Sequence, residues 1–99
     1  MRFFKMSNRI FDYPLSPNGF VVYAYLLSRA NILQAVVVGY KSIAAACKID
    51  PKTACRAIDE LTSHKLVSKE NRYNILGKAK NKYILSKPQG SWFKVEYDL

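Results

Sequence analysis

The chain has 99 residues, of which 49% are hydrophobic, and its 16 basic and 7 acidic residues give a net charge of +9. This length predicts one domain over 1–99, and the apolar content excludes an intrinsically disordered chain. The apolar runs 35–38 and 43–47 are far shorter than the ~20 residues that span a bilayer. A small basic domain indicates a polyanionic partner, such as nucleic acid or an anionic membrane surface.

The cysteine content and the N-terminal sequence indicate the cellular compartment of the protein. Cys47 and Cys55 are too few for a disulfide framework, and without a second pair their spacing is not that of a zinc site. No apolar stretch follows the basic N-terminus, as a signal peptide would require. We therefore expect a cytoplasmic protein with reduced cysteines, no metal and no cofactor.

The first third of the chain predicts a strand and then a helix. Residues 1–15 are rich in aromatic side chains and are typical of a strand, which Pro14 ends. Ser16 is a good N-cap, and Pro17 stands at the first helical position, where its missing N–H costs nothing. Apolar residues at helical spacing then predict a first helix over about 17–30.

The middle of the chain predicts a short strand and two further helices. The valine-rich segment 32–39 suits a pleated sheet, and a second helix follows at about 40–47 with Gly39 as its N-cap. Asp50 and Pro51 are the clearest helix start in the sequence and predict a third helix to about residue 64. Its apolar residues at i, i+3, i+4 and i+7 predict one buried stripe: Ala54, Ala57, Ile58 and Leu61.

The last third of the chain is the most basic part and predicts a hairpin followed by one more strand. Residues 65–99 contain eight basic and three acidic residues, a net charge of +5. We expect a strand at 66–73, a flexible basic loop at 74–81, a second strand at 83–85 and a last strand at 92–97.

The second and third helices are short and are joined by about three residues, which is the arrangement of a helix-turn-helix. Ala44 and Ala45 are small enough to lie where two helices cross closely. Lys48 stands in the turn, where glycine usually supplies a left-handed conformation. We therefore expect a turn that is wider than usual.

Three segments resemble winged helix-turn-helix DNA-binding domains: Gly39–Ala44, Lys48–Asp50 and Thr53–Leu61. Asn81–Leu85 resembles the return strand of the wing in such domains. The segments Leu15–Asn18 and Val22–Asn31 are similar to the opening of these domains in plasmid and phage replication initiators and related bacterial regulators. The resemblance extends over about residues 3–95. It implies an α+β fold of three helices, a small antiparallel sheet and a β-hairpin wing.

The resemblance also implies binding to double-stranded DNA, with the third helix in the major groove and the wing on the backbone. Arg56 is the expected base contact because a guanidinium can bind guanine O6 and N7 together. The alternative is an exposed arginine that pairs with Glu60 one turn further on. The predicted DNA-binding residues are Lys41, Ser42, Lys52, Thr53, Arg56, Arg72, Lys78, Lys80 and Lys82.

Two classes of function remain open on the sequence. The first is a DNA-binding protein in replication initiation or transcription regulation, in a bacterium, phage or plasmid. The second is a winged-helix module that binds another protein, because Asp50, Asp59 and Glu60 reduce the positive charge around the third helix. No nucleophile, base and orienting group can be assembled from the motifs, so we expect no enzymatic activity. Neither a small-molecule ligand nor a membrane partner is indicated.

The two ends of the chain share one pattern, an aromatic residue followed by Phe, Lys and an apolar residue, at 3–6 and 92–95. Chance can produce such a pattern in an aromatic-rich chain. Otherwise both segments are strands that offer an edge to a second copy, or the second segment opens a further, similar domain. If both segments are strands with a free edge, a second copy of the chain can pair with them, and we therefore predict a homodimer.

Overall fold

The computed structural model describes residues 4–74 and 77–86. It confirms an α+β winged helix-turn-helix fold, in which three helices pack with a small antiparallel sheet. A short 3-10 helix, Asn8–Asp12, comes first. The other elements, in chain order, are α1 (Pro17–Arg29), β1 (Ala35–Val37), α2 (Tyr40–Cys47), α3 (Pro51–Ser63), β2 (Val67–Asn74) and β3 (Gly77–Leu85).

The sheet has the strand order β1-β3-β2, and both pairs of neighbours are antiparallel. Tyr83 of the central strand lies opposite Val36 on one side and Lys69 on the other. The register shifts between Glu70 and Arg72, which is an irregularity of the β-bulge kind. Such a bulge bends and twists a strand, so the outer part of the β2–β3 hairpin turns relative to its base.

The predicted caps Ser16 and Asp50 are present and fix where α1 and α3 begin. The Oγ of Ser16 accepts a hydrogen bond from the Gly19 N–H at 3.1 Å, and the Oδ1 of Asp50 accepts one from the Thr53 N–H at 3.0 Å. Each cap satisfies one of the N–H groups that have no partner within the helix. The three helices therefore lie where the sequence predicts them, to within one residue at their ends.

The core lies between the three helices and the inner face of the sheet. The four residues predicted for the buried stripe of α3 are all at most 3% exposed. Tyr23 and Tyr83 are also fully buried, and burial raises the pKa of each phenol to about 12. The hydroxyl of Tyr23 donates to the carbonyl of Ser86 at 3.0 Å, which fastens α1 to the end of β3.

The strand predicted over 1–15 is wrong in the described part of that segment. The Oγ of Ser7 instead accepts a hydrogen bond from the Arg9 N–H at 3.1 Å and caps the 3-10 helix, whose Ile10 is buried in the core. A serine that binds a backbone N–H two residues on offers the chain an alternative to extended structure. The aromatic composition of the segment carried no sign of this local competition.

The basic loop predicted at 74–81 is also wrong, since 77–81 belong to β3. Asn74 and Gly77 are partners in the ladder, which resumes at Arg72 and Ala79 beyond the irregularity. Glycine and lysine are poor strand formers, but pairing with a long neighbouring strand outweighs such local preferences. The last strand predicted, at 92–97, lies outside the described residues.

The turn between α2 and α3 is tight, so the expectation of a wider turn is wrong. Lys48 itself adopts the left-handed conformation, with φ 62° and ψ 41°. A non-glycine residue there costs about 1–2 kcal/mol, and the turn is closed by the Ile49 N–H, which donates to the Ala44 carbonyl at 3.0 Å. Of the two alanines expected at the helix crossing, Ala44 is buried and Ala45 is exposed.

Asn31 covers one position on the outer edge of β1. The N–H of Ala35 donates to the Asn31 Oδ1 at 3.1 Å, and the carbonyl of Ala35 accepts from the Asn31 N–H at 3.0 Å. An edge residue whose backbone groups are already paired cannot extend the sheet to another chain.

None of the helices within 4–74 and 77–86 has the length and apolar character needed to cross a membrane.

Candidate nucleic-acid interface

The first turns of α2 and α3 meet β3 along a shallow groove, which we call the lysine groove. Its residues come from the consecutive helices α2 and α3 and from β3, which follows later in the sequence. They are Gly39, Tyr40, Lys41, Ser42, Pro51, Lys52, Cys55 and Lys80. The structure thus brings together four of the predicted DNA-binding residues: Lys41, Ser42, Lys52 and Lys80. All four are exposed.

A row of charged side chains on α3, which we call the α3 ridge, runs along the side of the helix opposite its buried stripe. It consists of Lys52, Arg56 and Asp59, and all three are exposed. Residues spaced by three and four positions lie on one side of a helix, so the same periodicity that buries one face directs these side chains to solvent. Lys52 belongs to both the α3 ridge and the lysine groove.

Arg56 does not form the ion pair with Glu60 that was the alternative to base contact. The carboxylate of Glu60 accepts hydrogen bonds from the Ser16 N–H at 2.8 Å and from the Ser16 hydroxyl at 2.7 Å. Among the described residues the one ion pair within 4.0 Å joins Arg9 and Asp12. The guanidinium of Arg56 therefore has no charged partner in this part of the chain beyond a weak attraction to Asp50.

The contact between Glu60 and Ser16 fixes the start of α1 against α3. Ser16 caps α1 and is held by Glu60 at the same time. Gly19 allows this approach, because a Cβ at that position would run into the Glu60 carboxylate. Sequence reasoning missed this contact because the two residues lie 44 positions apart.

Thr53, predicted as a DNA contact, is part of the cap of α3. Its N–H donates a hydrogen bond to the Asp50 carboxylate, and hydrogen bonding with Thr53 lowers the pKa of Asp50 below its usual value. Thr53 is partly buried. It lines a second hollow, between α3 and the start of α1, together with Ser16, Asn18, Arg56, Ala57 and Glu60. Arg56 therefore lines this hollow, whereas Lys52 of the same α3 ridge lines the lysine groove.

The predicted wing residues lie on β2 and β3. Arg72 lies opposite Ala79 in the ladder, and Lys78 lies opposite Tyr73. Lys82 is partly buried and lies on the central strand, opposite Val37 on one side and Glu70 on the other. Lys80 lines the lysine groove beside the first turns of α2 and α3.

Tyr40 and Lys69 are two residues of this region that sequence reasoning did not select. The ammonium of Lys69 donates to the Tyr40 hydroxyl at 3.1 Å and lies 5.8 Å from the centre of the Tyr40 ring. The hydrogen bond to Tyr40, with smaller contributions from the charges of Asp59 and Cys55, raises the pKa of Lys69. The pair joins the first residue of α2 to β2, and no local motif could have revealed it across 29 positions.

Two solved structures have the same fold. A possible transcriptional regulator from Methanosarcina mazei Go1 matches with a TM-score of 0.58 and 14% identity, over 74% of this chain and 57% of that chain. The YusO protein from Bacillus subtilis matches with a TM-score of 0.56 and 15% identity, over 79% of this chain and 50% of that chain. No family model and no curated protein matches the sequence.

These comparisons establish a shared fold at low sequence identity. The chain spans between half and three fifths of the length of the two neighbours. Within residues 4–74 and 77–86, no group of three or more His, Cys, Asp and Glu side chains is placed to hold a metal ion. The basic residues of the lysine groove and the α3 ridge are therefore the feature from which a function can be argued.

Proposed function

We propose that the protein binds double-stranded DNA, with the α3 ridge in the major groove and the lysine groove on the adjacent backbone. The observation that carries this proposal is the convergence of Lys41, Lys52 and Lys80 from three separate elements beside an exposed Arg56 that has no ion pair among the described residues. Positive charges clustered on one surface are the electrostatic footprint of a nucleic-acid site.

The chemistry divides between the two surfaces. Lysine ammonium groups bind phosphate oxygens and hold the protein in register, but they carry no sequence information. The guanidinium of Arg56 can bind guanine O6 and N7 through two parallel hydrogen bonds, which distinguishes G·C from the other base pairs. The helix-turn-helix supports this assignment, since its second helix enters the major groove in proteins of that class.

The biological role that we propose is regulation of transcription. One of the two structural neighbours is described as a possible transcriptional regulator. Replication initiation remains a second proposal, and it rests on the similarity of Leu15–Asn18 and Val22–Asn31 to the opening of replication initiators. A role without enzymatic activity is part of both proposals.

Titration of a fluorescent random duplex at several salt concentrations tests DNA binding directly. Four to six phosphate contacts predict a slope of log affinity against log salt of roughly −4 to −5. Lys80→Gln should reduce the steepness of that slope by about 0.9, whereas Lys5→Gln, which removes the same charge from an exposed residue outside the groove, should leave it unchanged. A wild-type protein that binds no duplex at low salt would overturn the proposal.

A protein-interaction module is the second candidate, and exposed side chains favour it. Ile32 and Leu33 follow each other in the chain and are 91% and 77% exposed, and Asp59 places a negative charge on the α3 ridge. Large exposed apolar side chains mark surfaces that other proteins cover when they form a contiguous patch. The titration above separates the two functions, since such a module should bind random duplex weakly even at low salt.

We also propose that the protein forms a homodimer, on the basis of the pattern shared by 3–6 and 92–95. Sedimentation of the intact chain, compared with a chain that ends at Ser91, measures this. The intact chain should sediment as a dimer at micromolar concentrations, and the shortened chain as a monomer. If both sediment as monomers, the dimer proposal fails.

A further inference from the structure

Three acidic residues lie on α3 or at its start, and two of them have structural roles. Asp50 caps the helix, and Glu60 holds Ser16. Asp59 is exposed, and within 4–74 and 77–86 it forms no hydrogen bond and no ion pair. Its charge attracts Lys69, but the ammonium of Lys69 is hydrogen-bonded to Tyr40 instead. Both oxygens of the Asp59 carboxylate are therefore available to a partner outside this part of the chain.

Asp59 lies on the surface that the proposed function places against base edges. It follows Arg56 by three positions on the α3 ridge. At 1.5 Å per residue, the ridge from Lys52 to Asp59 is about 10 Å long, which is close to the ~12 Å width of the major groove. A helix that inserts Lys52 and Arg56 into the groove therefore brings Asp59 within it or to its edge.

A carboxylate in this position has a defined chemistry. It repels phosphates, so it weakens binding that depends on the backbone alone. An ionised carboxylate can only accept hydrogen bonds, and cytosine presents the N4 amino group as a donor in the major groove. Adenine also presents an amino group, but its N7 acceptor lies beside it and repels the second carboxylate oxygen.

We propose that Asp59 is a specificity-determining residue that accepts a hydrogen bond from the N4 amino group of a cytosine in the target site. The inference rests on the proposed function, since it needs the α3 ridge to lie in the major groove. It assigns to Asp59 the role of reading one base pair and of disfavouring all other duplexes. It also explains why an acid is compatible with a surface that is otherwise basic.

Selection of bound sequences from a random duplex pool tests this, with the wild type and Asp59→Asn compared in parallel. An asparagine side chain can bind adenine N6 and N7 together, so the variant should exchange a cytosine for an adenine at one position of the selected site. Its affinity for random duplex should rise by about 3- to 10-fold, because one repulsive charge is removed. At the exchanged position the wild type should prefer cytosine by at least about fivefold.

Asp12→Asn is the matched control, because it makes the same change of charge on the 3-10 helix, where Asp12 pairs with Arg9 at 3.1 Å. This control should select the wild-type site. The inference is overturned if Asp59→Asn selects the same site with the same discrimination, or if Asp12→Asn raises the affinity for random duplex equally. A wild type that binds no duplex in the pool would instead overturn the proposed function itself. Thermal unfolding of each variant shows that it is folded.

Discussion

The two faces of α3 differ in what holds their side chains. On the inner face Ala54, Ala57, Ile58 and Leu61 are at most 3% exposed and pack against the other helices and the sheet. On the α3 ridge Lys52, Arg56 and Asp59 are exposed and form no hydrogen bond or ion pair with any residue in 4–74 or 77–86. The side chains of the inner face thus stabilise the domain, whereas those of the α3 ridge have no comparable structural role.

This difference shows where a function can be sought. A side chain that packs in the core is constrained by volume and hydropathy, and its identity says little about partners. The charges of the α3 ridge contribute nothing comparable to folding, so their chemistry is available for binding. The predictions below change residues of each face, of the boundary between them, of the α3 cap and of the lysine groove, and ask whether stability or binding responds.

The largest expected effect is on the inner face. Leu61→Ala removes a fully buried side chain and should lower the free energy of unfolding by about 2–5 kcal/mol. Lys52→Ala, on the α3 ridge of the same helix, should change it by less than about 0.5 kcal/mol. Urea denaturation of both variants measures the two values. Equal stability of Leu61→Ala and the wild type would mean that the faces of α3 are assigned wrongly.

Glu60 lies between the two faces and should give an intermediate effect. Its two hydrogen bonds to Ser16 are charge-assisted but partly exposed, so Glu60→Ala should cost about 1 kcal/mol of unfolding free energy. Asp59→Ala, at the adjacent position, should be close to neutral because that carboxylate has no such bonds. Thermal denaturation compares the two variants. Similar losses of stability in both would contradict a stabilising contact between Glu60 of α3 and Ser16 at the start of α1.

The smallest expected effect is the pH dependence that Asp50 contributes. Hydrogen bonds from Thr53 lower the pKa of Asp50 in the folded state below the unfolded value of 3.8. Asp50 therefore stabilises the fold above the unfolded pKa, and this contribution is lost as the pH falls through the lower, folded pKa. Asp50→Asn keeps a capping side chain that does not titrate. Unfolding curves from about pH 5 to about pH 2 should converge for the two proteins, and a constant difference would contradict the assignment.

The helices could be predicted from sequence because their signals are local. Ser16 and Asp50 cap α1 and α3 as expected, and the spacing of Ala54, Ala57, Ile58 and Leu61 identifies the inner face without any tertiary information. The strand content was harder, because pairing with a neighbouring strand decided it: β3 begins at Gly77 rather than after the basic segment.

The arrangement of the candidate site was predictable only in part. The convergence of Lys41, Lys52 and Lys80 follows once the wing is placed beside the helix-turn-helix. The contacts that single out Arg56 and Asp59 do not follow from the sequence. They depend on Glu60 reaching Ser16 and on Lys69 reaching Tyr40, which are long-range pairs with no local signature.

The claim that the α3 ridge reads base sequence, while the lysine groove binds phosphate, is tested most directly by two variants on two duplexes. Arg56→Ala and Lys80→Ala are each titrated against a selected duplex and a random one. Arg56→Ala should lose about 1–3 kcal/mol on the selected duplex and much less on random DNA. Lys80→Ala should weaken both by similar amounts. Equal losses of Arg56→Ala on the two duplexes would show that α3 does not read the sequence.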